Sequence, residues 1–150
     1  MDALEVMRAV EEWQRAGAYS VRIQGMNRQH HISLREEFDE HDGDYSKYVV
    51  LLDGGYPVAT CRFYQTAPKV AMLGRVVVLP EYRGQQLGRR LVGEAERWMA
   101  ECGIEQVTID ARTMAAGFYQ KLGYEQAGET VFRSGVFDCV RMRKTLGPGR

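Results

Sequence analysis

The spacing of apolar residues divides the chain into helical and extended segments. The first apolar residues recur at three-residue steps, at Leu4, Met7, Val10 and Trp13. Charged residues lie between them, so the pattern predicts an N-terminal amphipathic helix within residues 1–17, ended by Gly17. A second helix is predicted over 19–29. The acidic stretch 36–44 that follows is interpreted as a solvated connection, with substrate gating as the alternative.

Extended patterns dominate the middle of the chain. Apolar runs at 48–52 and 57–64 flank the turn residues 53–56, which indicates a β-hairpin. The remaining predicted elements are a strand over 71–79, a helix over 85–102 stopped by Gly103, a strand over 105–111, a helix over 113–122 and strands over 124–132 and 136–145. This order predicts one α/β (α+β) domain over 1–150, with a mixed, mostly antiparallel sheet flanked by helices and a frayed tail at 147–150.

Composition narrows the partners that we expect. The 150 residues carry 20 basic and 20 acidic side chains, and this zero net charge gives no electrostatic case for nucleic acid. The sequence contains neither an apolar run of membrane-spanning length nor a signal-peptide pattern. Its three cysteines are too few and too scattered for a disulfide framework or a zinc site. We therefore expect a cytoplasmic protein without a metal and without membrane or nucleic-acid partners.

A glycine-containing loop joins the strand at 71–79 to the helix at 85–102. The loop reads Arg83-Gly84-Gln85-Gln86-Leu87-Gly88. The unpaired N–H groups and the dipole at the start of a helix both favour an anion, and Arg83 can add a charge-assisted contact. No Gly-Lys-Ser/Thr follows the glycines, and the G-x-G-x-x-G spacing is absent, so P-loop and dinucleotide sites are disfavoured.

The loop resembles the acetyl-CoA loop of the GNAT N-acetyltransferases, Arg/Gln-x-x-Gly-x-Gly/Ala, although Gln86 stands at the first signature glycine. A second motif follows the strand at 107–112 and reads Phe118-Tyr119-Gln120-Lys121-Leu122-Gly123-Tyr124. This segment is similar to the family's Phe-Tyr-x-Lys-Leu-Gly-Phe/Tyr. Within the family, the residues around Arg112 and the tail 138–142 look most like small-molecule enzymes of the glyphosate N-acetyltransferase type.

The resemblance implies a GNAT fold and acetyl-CoA as co-substrate. The residues that it assigns to the cofactor are Val76, Val78, Arg83, Gly84, Gln85, Gln86, Leu87, Gly88, Arg89 and Tyr119. The backbone of Val76 and Val78 would pair with the pantetheine arm. A side chain at Gln86 would crowd the diphosphate and so bears on cofactor affinity.

Two residues are candidates for catalysis by the same resemblance. Tyr119 matches the helix tyrosine that acts as general acid, with simple packing beside Phe118 as the alternative. Cys139 falls where the glyphosate-type enzymes carry a histidine base. A cysteine is also a common core residue, and Asp138 or water could take the proton instead.

Three arginines, Arg22, Arg75 and Arg112, align with positions that hold an anionic acceptor in the glyphosate-type enzymes. Guanidinium groups that converge on one cleft need an anion to compensate them. The alternative is that each arginine pairs with a nearby carboxylate such as Glu36 or Asp110.

These features predict an acetyl-CoA-dependent N-acetyltransferase acting on a small amine that bears a carboxylate or a phosphonate. Gln86 and Cys139 favour an alternative, a non-catalytic acyl-CoA-binding or sensing module. A third hypothesis is a protein or peptide N-acetyltransferase, because the acidic stretch 36–44 could attract a cationic peptide. The resemblance also implies a homodimer through the terminal strands.

Overall fold

The computed structural model describes residues 3–128 and 130–147, and within them one mixed sheet holds every strand. The strands are β1 (Leu4–Arg8), β2 (Lys47–Asp53), β3 (Tyr56–Ala67), β4 (Val70–Val78), β5 (Gln106–Arg112), β6 (Glu125–Gln126), β7 (Phe132–Ser134) and β8 (Phe137–Thr145). The sheet order is β1-β2-β3-β4-β5-β8-β6, with β7 also paired to β8. Neighbouring strands are antiparallel except β4 and β5, which are parallel. The predicted mixed, mostly antiparallel sheet is confirmed.

Helices lie between these strands. They are α1 (Glu12–Arg22), α2 (Arg28–His30), α3 (Leu34–Glu37), α4 (Leu87–Glu101) and α5 (Ala116–Lys121). A π-helical segment (Ile23–Asn27) joins α1 to α2, and 3₁₀ turns (Pro80–Tyr82 and Thr113–Ala115) precede α4 and α5. None of the helices in the described ranges is long and apolar enough to cross a membrane.

The predicted N-terminal helix is wrong over its first half. Residues 4–8 form the edge strand β1, in which Leu4 pairs with Asp53 and Arg8 with Val49. The three-residue apolar stripe is not a buried helix face, because Val10 and Trp13 are more than half exposed. Helix α1 begins only at Glu12, where Glu11 and Gln14 form a reciprocal capping box. The tail predicted at 147–150 falls almost wholly outside the described residues.

Other boundaries follow the turn chemistry of the sequence. Gly54 and Gly55 both adopt positive φ in the hairpin between β2 and β3, as the tight turn requires. Gly103 ends α4 with a φ of 85°. Helix α4 packs its apolar face on the sheet and buries Leu87, Leu91, Val92, Ala95 and Met99. Burial of each large side chain contributes roughly 1.5–3 kcal/mol, which holds the start of α4 beside the end of β4.

Strands β4 and β5 separate midway along their length. They pair from Val70 and Gln106 to Leu73 and Ile109 and no further, although both continue for several residues. A β-bulge lies where they part: Thr60 pairs with Val77 but Arg62 pairs with Gly74, so β4 carries one extra residue. Arg75, within the bulge, has a φ of 49°, a conformation that non-glycine residues rarely adopt. The sheet is therefore split open on the carboxyl side of this point.

Candidate active site

Two cavities occupy the split between β4 and β5. The loop cavity, of about 840 Å³, is lined by residues 82–84 and 86–89 together with β4 and α5. The bulge cavity, of about 300 Å³, is lined by β4 at the bulge, the carboxyl end of β5, residues 36–37, residues 134–137 and Cys139. Four residues line both, namely Val76, Arg112, Ala115 and Tyr119. The cavities therefore meet at these four side chains.

The start of α4 faces the loop cavity without a cap of its own. The N-cap residue Gln86 makes no side-chain capping bond, and the first turn contains no acidic residue. The first backbone bond of the helix runs from Arg90 N–H to the Gln86 carbonyl, which leaves the N–H groups of Leu87, Gly88 and Arg89 without an intrahelical acceptor. These donors at the positive end of a helix suit a phosphate group.

Local geometry accounts for two glycines around the start of α4. Gly84 has a φ of 83°, where a Cβ atom would be strained. Gly88 lies against α5, and a Cβ atom there would come within 3.0 Å of the Phe118 ring. Gln86 also adopts the left-handed region, with a φ of 60° and an exposed side chain, at a cost of roughly 1–2 kcal/mol. The glutamine at this position therefore strains the backbone, in addition to placing a side chain beside the loop.

The open edge of β4 offers further backbone groups. Leu79 N–H donates to the Val58 carbonyl on β3, at 3.0 Å. Because N–H directions alternate along a strand, the N–H of Val78 points to the opposite edge, which β5 no longer covers. Val76 and Val78 both line the loop cavity. An extended ligand in this cavity could therefore pair with β4 as an added strand.

Tyr119 lies where the two cavities join. The residue is 7% exposed, its ring makes edge-to-face contacts with Phe118 and Tyr124, and its hydroxyl has no hydrogen bond to any described residue. Burial raises its pKa, so the phenol keeps its proton throughout the neutral range. The hydroxyl is available as a proton donor to a ligand.

Cys139 lines the bulge cavity and is a free thiol. Burial and the nearby carboxylate of Asp110 raise the pKa of the thiol. At neutral pH the sulfur therefore carries its proton, which is the wrong state for a general base. Asp138 lines neither cavity; its side chain is more than half exposed and pairs with Arg133 at 3.3 Å. Neither Cys139 nor Asp138 therefore has the protonation state and position of a general base in this structure.

The three arginines have different surroundings. Arg22 is fully buried, lines neither cavity, and pairs with Glu37 at 2.9 Å and Asp42 at 2.7 Å. Its guanidinium therefore cannot reach an acceptor in this structure. Arg22 instead pairs with carboxylates, as the alternative prediction had it, although the partners are Glu37 and Asp42.

Arg75 and Arg112 both line the bulge cavity. Arg75 is held by Glu37 and by Asp39, the latter at 3.1 Å, with 30% of its side chain exposed. Arg112 lies over the Phe137 ring at 4.1 Å and has no carboxylate partner within the described residues. Asp110, the partner considered for it, instead accepts two hydrogen bonds from Arg141. Arg112 therefore brings an uncompensated positive charge to the cavity.

The acidic stretch 36–44 is not the solvated connection that its composition indicates. Six of the surrounding side chains form a charge network, namely Arg22, Arg62, Arg75, Glu37, Asp39 and Asp42. Burial alone would raise the pKa of Asp42, but hydrogen bonds from Arg22 and Tyr48 outweigh it and hold that pKa far below its usual range. Glu37, Asp39, Asp42 and Arg62 are not predicted as partners from the sequence, because their pairing depends on contacts across the fold.

The described residues do not form a cluster of metal-binding side chains. In the ranges 3–128 and 130–147, no three His, Cys, Asp or Glu side chains gather as a metal ion would require. The donors that the split sheet presents are backbone N–H groups, a phenol and guanidinium groups. Such groups bind and polarise anionic and carbonyl-containing ligands.

The chain matches the model of the acetyltransferase (GNAT) family over residues 7–124. An uncharacterized acetyltransferase of Streptococcus pyogenes serotype M1 is 30% identical over 113 residues, which cover 75% of this chain and 79% of that protein. A Bacillus subtilis protein described as an acetyltransferase is 35% identical over 106 residues, which cover 69% of this chain and 71% of the relative.

Solved structures give the same assignment. A Lactobacillus plantarum protein assigned as an N-acetyltransferase superposes with a TM-score of 0.89 at 30% identity, covering 97% of this chain and 99% of that one. The ribosomal-protein-S18-alanine N-acetyltransferase of Escherichia coli superposes with a TM-score of 0.75 at 18% identity, covering 98% of each, and supports the fold alone. Taken with the loop at the start of α4 and the split between β4 and β5, these matches place the chain in the GNAT family, and it is an N-acetyltransferase.

Proposed function

We propose that this enzyme transfers the acetyl group of acetyl-CoA to the amine of a small acceptor that carries a carboxylate or a phosphonate. One observation carries the proposal. The loop cavity and the bulge cavity meet at Tyr119 and Arg112, and Arg112 has no carboxylate partner among the described residues. A cofactor site and an anion site would then share one junction.

The loop cavity fits the cofactor that enzymes of this family use. The N–H groups of Leu87, Gly88 and Arg89 would hold the diphosphate, with Arg83 and the backbone of 84–86 at the mouth. Val76 and Val78 would pair with the pantetheine arm along the open edge of β4. The thioester itself supplies an acetyl group that is activated for attack.

The junction supports direct transfer. The neutral amine attacks the thioester carbonyl while an N–H on the open edge of β4 donates to the developing oxyanion, an interaction worth roughly 3 kcal/mol. The C–N bond forms, the C–S bond breaks, and Tyr119 O–H protonates the leaving thiolate. Water removes the proton that the amine loses and returns one to Tyr119. The acid step is uphill by roughly 1.5 pKa units in water. Burial raises the pKa of Tyr119 and widens this gap, whereas desolvation of the leaving thiolate makes the thiolate more basic and narrows it.

Charge balance in the bulge cavity supports the acceptor class. Glu37 is compensated by Arg22 and Arg75, and Asp110 by Arg141, so neither competes for Arg112. Glu36 lines the same cavity, and hydrogen bonds from Ser33 lower its pKa and keep it anionic. An acceptor with one anionic and one cationic group, such as an amino acid or an aminophosphonate, would match both Arg112 and Glu36. A glyphosate-like acceptor belongs to this class.

Thiol release from acetyl-CoA across a panel of amines tests the proposal. The panel holds amino acids and aminophosphonates, their neutral amide or ester analogues, diamines, and a lysine-rich peptide. We expect turnover with the anionic acceptors and kcat/KM at least about tenfold lower for the neutral analogues, because a hydrogen bond between charged groups is lost. Turnover confined to diamines or the peptide would overturn the acceptor class. Absence of acetyl-CoA binding in calorimetry would overturn the cofactor assignment.

A further inference from the structure

A third cavity, which the proposed chemistry does not use, crosses the exposed side of α4. This basic groove has a volume of about 610 Å³ and is lined by Arg89, Arg90, Arg97, Lys121 and Lys144, with Gly93 and Glu96 between them. It shares Arg89, Lys121 and Leu122 with the loop cavity. A ligand that leaves the loop cavity beside the first turn of α4 therefore enters the groove directly.

The groove holds more positive charge than its own acids compensate. Glu96 is its one acidic lining residue, and it already accepts hydrogen bonds from Tyr124 at 2.9 Å and Lys144 at 2.8 Å. Arg89 and Lys121 are exposed, and neither has an ion-pair partner within the described residues. Like charges that face one groove repel each other unless an anion joins them. The two unpaired cations are also the two that border the loop cavity.

Gly93 keeps the groove open at its centre. A glycine in the interior of a helix costs roughly 1 kcal/mol relative to alanine. Packing does not require one here, because a Cβ atom at this position would contact only the end of the Arg97 side chain, at 3.7 Å. The missing side chain leaves bare helix surface among the cations.

We propose that the basic groove binds a phosphate monoester, the 3′-phosphate on the ribose of coenzyme A, with Lys121 and Arg89 as its ligands. This inference rests on the proposed cofactor site. Coenzyme A carries its diphosphate and this monoester as separate anions. When the diphosphate lies on the first-turn N–H groups of α4, the ribose beyond it must turn to one side. On the groove side, Arg89 and Lys121 offer two cations that have no ion-pair partner within the described residues.

Calorimetry with coenzyme A and with dephospho-coenzyme A, which lacks only the 3′-phosphate, tests the inference on the full chain. We expect the dephospho form to bind about tenfold more weakly, the size of one lost charge-assisted hydrogen bond. Lys121→Ala should weaken coenzyme A by about tenfold and change the dephospho form by less than about twofold. Lys47→Ala, which removes the same charge from an exposed site outside the three cavities, should change neither.

Equal affinity of the wild-type enzyme for the two forms would overturn the inference while leaving the cofactor site intact. So would an equal loss for both ligands in Lys121→Ala, because Lys121 would then serve the diphosphate. Binding of inorganic phosphate to the same protein is measured as a further test. If phosphate alone competes with neither form yet binds with Lys121-dependent affinity, the groove serves a free anion and the assignment to the cofactor is wrong. Failure of both coenzyme forms to bind would instead remove the proposed function.

Discussion

The loop cavity and the bulge cavity lie side by side but are built from different material. The loop cavity offers mainly backbone groups, drawn from one strand–loop–helix segment and the helix α5. The bulge cavity offers mainly side chains, drawn from five separate stretches of chain. Backbone donors persist when a side chain changes, as Gln86 in place of glycine illustrates. A binding site built from charged side chains depends instead on which of those charges already form ion pairs within the fold.

The three arginines Arg22, Arg75 and Arg112 differ in how far their charges are already paired within the fold. Arg22 lies in the charge network, Arg75 lies at its edge, and Arg112 lies outside it. The same residue type therefore serves stability at one position and is free for a ligand at another.

The largest effect is expected from Arg22→Met. Removal of the guanidinium leaves Glu37 and Asp42 without their buried partner, and breaking a buried pair in this way costs roughly 3–5 kcal/mol of unfolding free energy. Urea denaturation measures the loss. Arg35→Met, an exposed site on α3, is the control and should change stability by less than about 0.5 kcal/mol. Wild-type stability combined with a specific loss of anionic acceptors would show that Arg22 serves the substrate.

Tyr119→Phe tests the junction of the two cavities. Loss of the hydroxyl removes the proposed acid, so kcat should fall by about 100-fold while the Kd of acetyl-CoA stays within about twofold. Stopped-flow thiol detection and calorimetry measure the two quantities. Tyr124→Phe is the matched control: its hydroxyl bonds Glu96 at 2.9 Å, so stability should fall and kcat should not. If kcat is unchanged in Tyr119→Phe, Tyr119 is not the general acid and only packs beside Phe118.

Arg112→Gln tests the anion site. We expect KM for a carboxylate-bearing acceptor to rise by about tenfold or more, because a charge-assisted hydrogen bond is worth roughly 1.5–3 kcal/mol. The KM of a neutral amine should stay unchanged in the same steady-state assay. Arg143→Gln, an exposed arginine on β8 outside both cavities, controls for net charge. A parallel rise for charged and neutral acceptors would mean that Arg112 shapes the cavity without binding an anion.

The smallest effect is expected from Gln86→Gly, at the start of the helix that borders the loop cavity. Gln86→Gly relieves a left-handed residue, so the unfolding free energy should rise by up to about 1 kcal/mol and the Tm by about 3 °C. Gln85→Gly is the control, since Gln85 has no positive φ to relieve and the added chain entropy should lower stability. Equal thermal shifts in the two variants would refute the strain at Gln86.

Local sequence signals predict one part of this molecule and contacts across the fold decide the other. The elements from the hairpin at 53–56 to Tyr124 follow local signals such as Gly54, Gly103 and the periodicity of α4, and most are confirmed. Strand β1 was missed because an edge strand gains its stability from pairing with β2, which no local pattern records. The charge network was missed for the same reason. A cytoplasmic location, a homodimer and the glyphosate type stay predictions.

The extra residue in β4 has a geometric consequence. Beyond the bulge, each N–H of the strand points to the edge opposite to the one that an uninterrupted pleat would give it. Removal of one residue between Gly74 and Val76 would reverse that order, turning the amides of the open edge inward to β3 and the valine side chains to the other face. A one-residue insertion thus decides whether the amides of Val76 and Val78, or those of Val77 and Leu79, face the open edge.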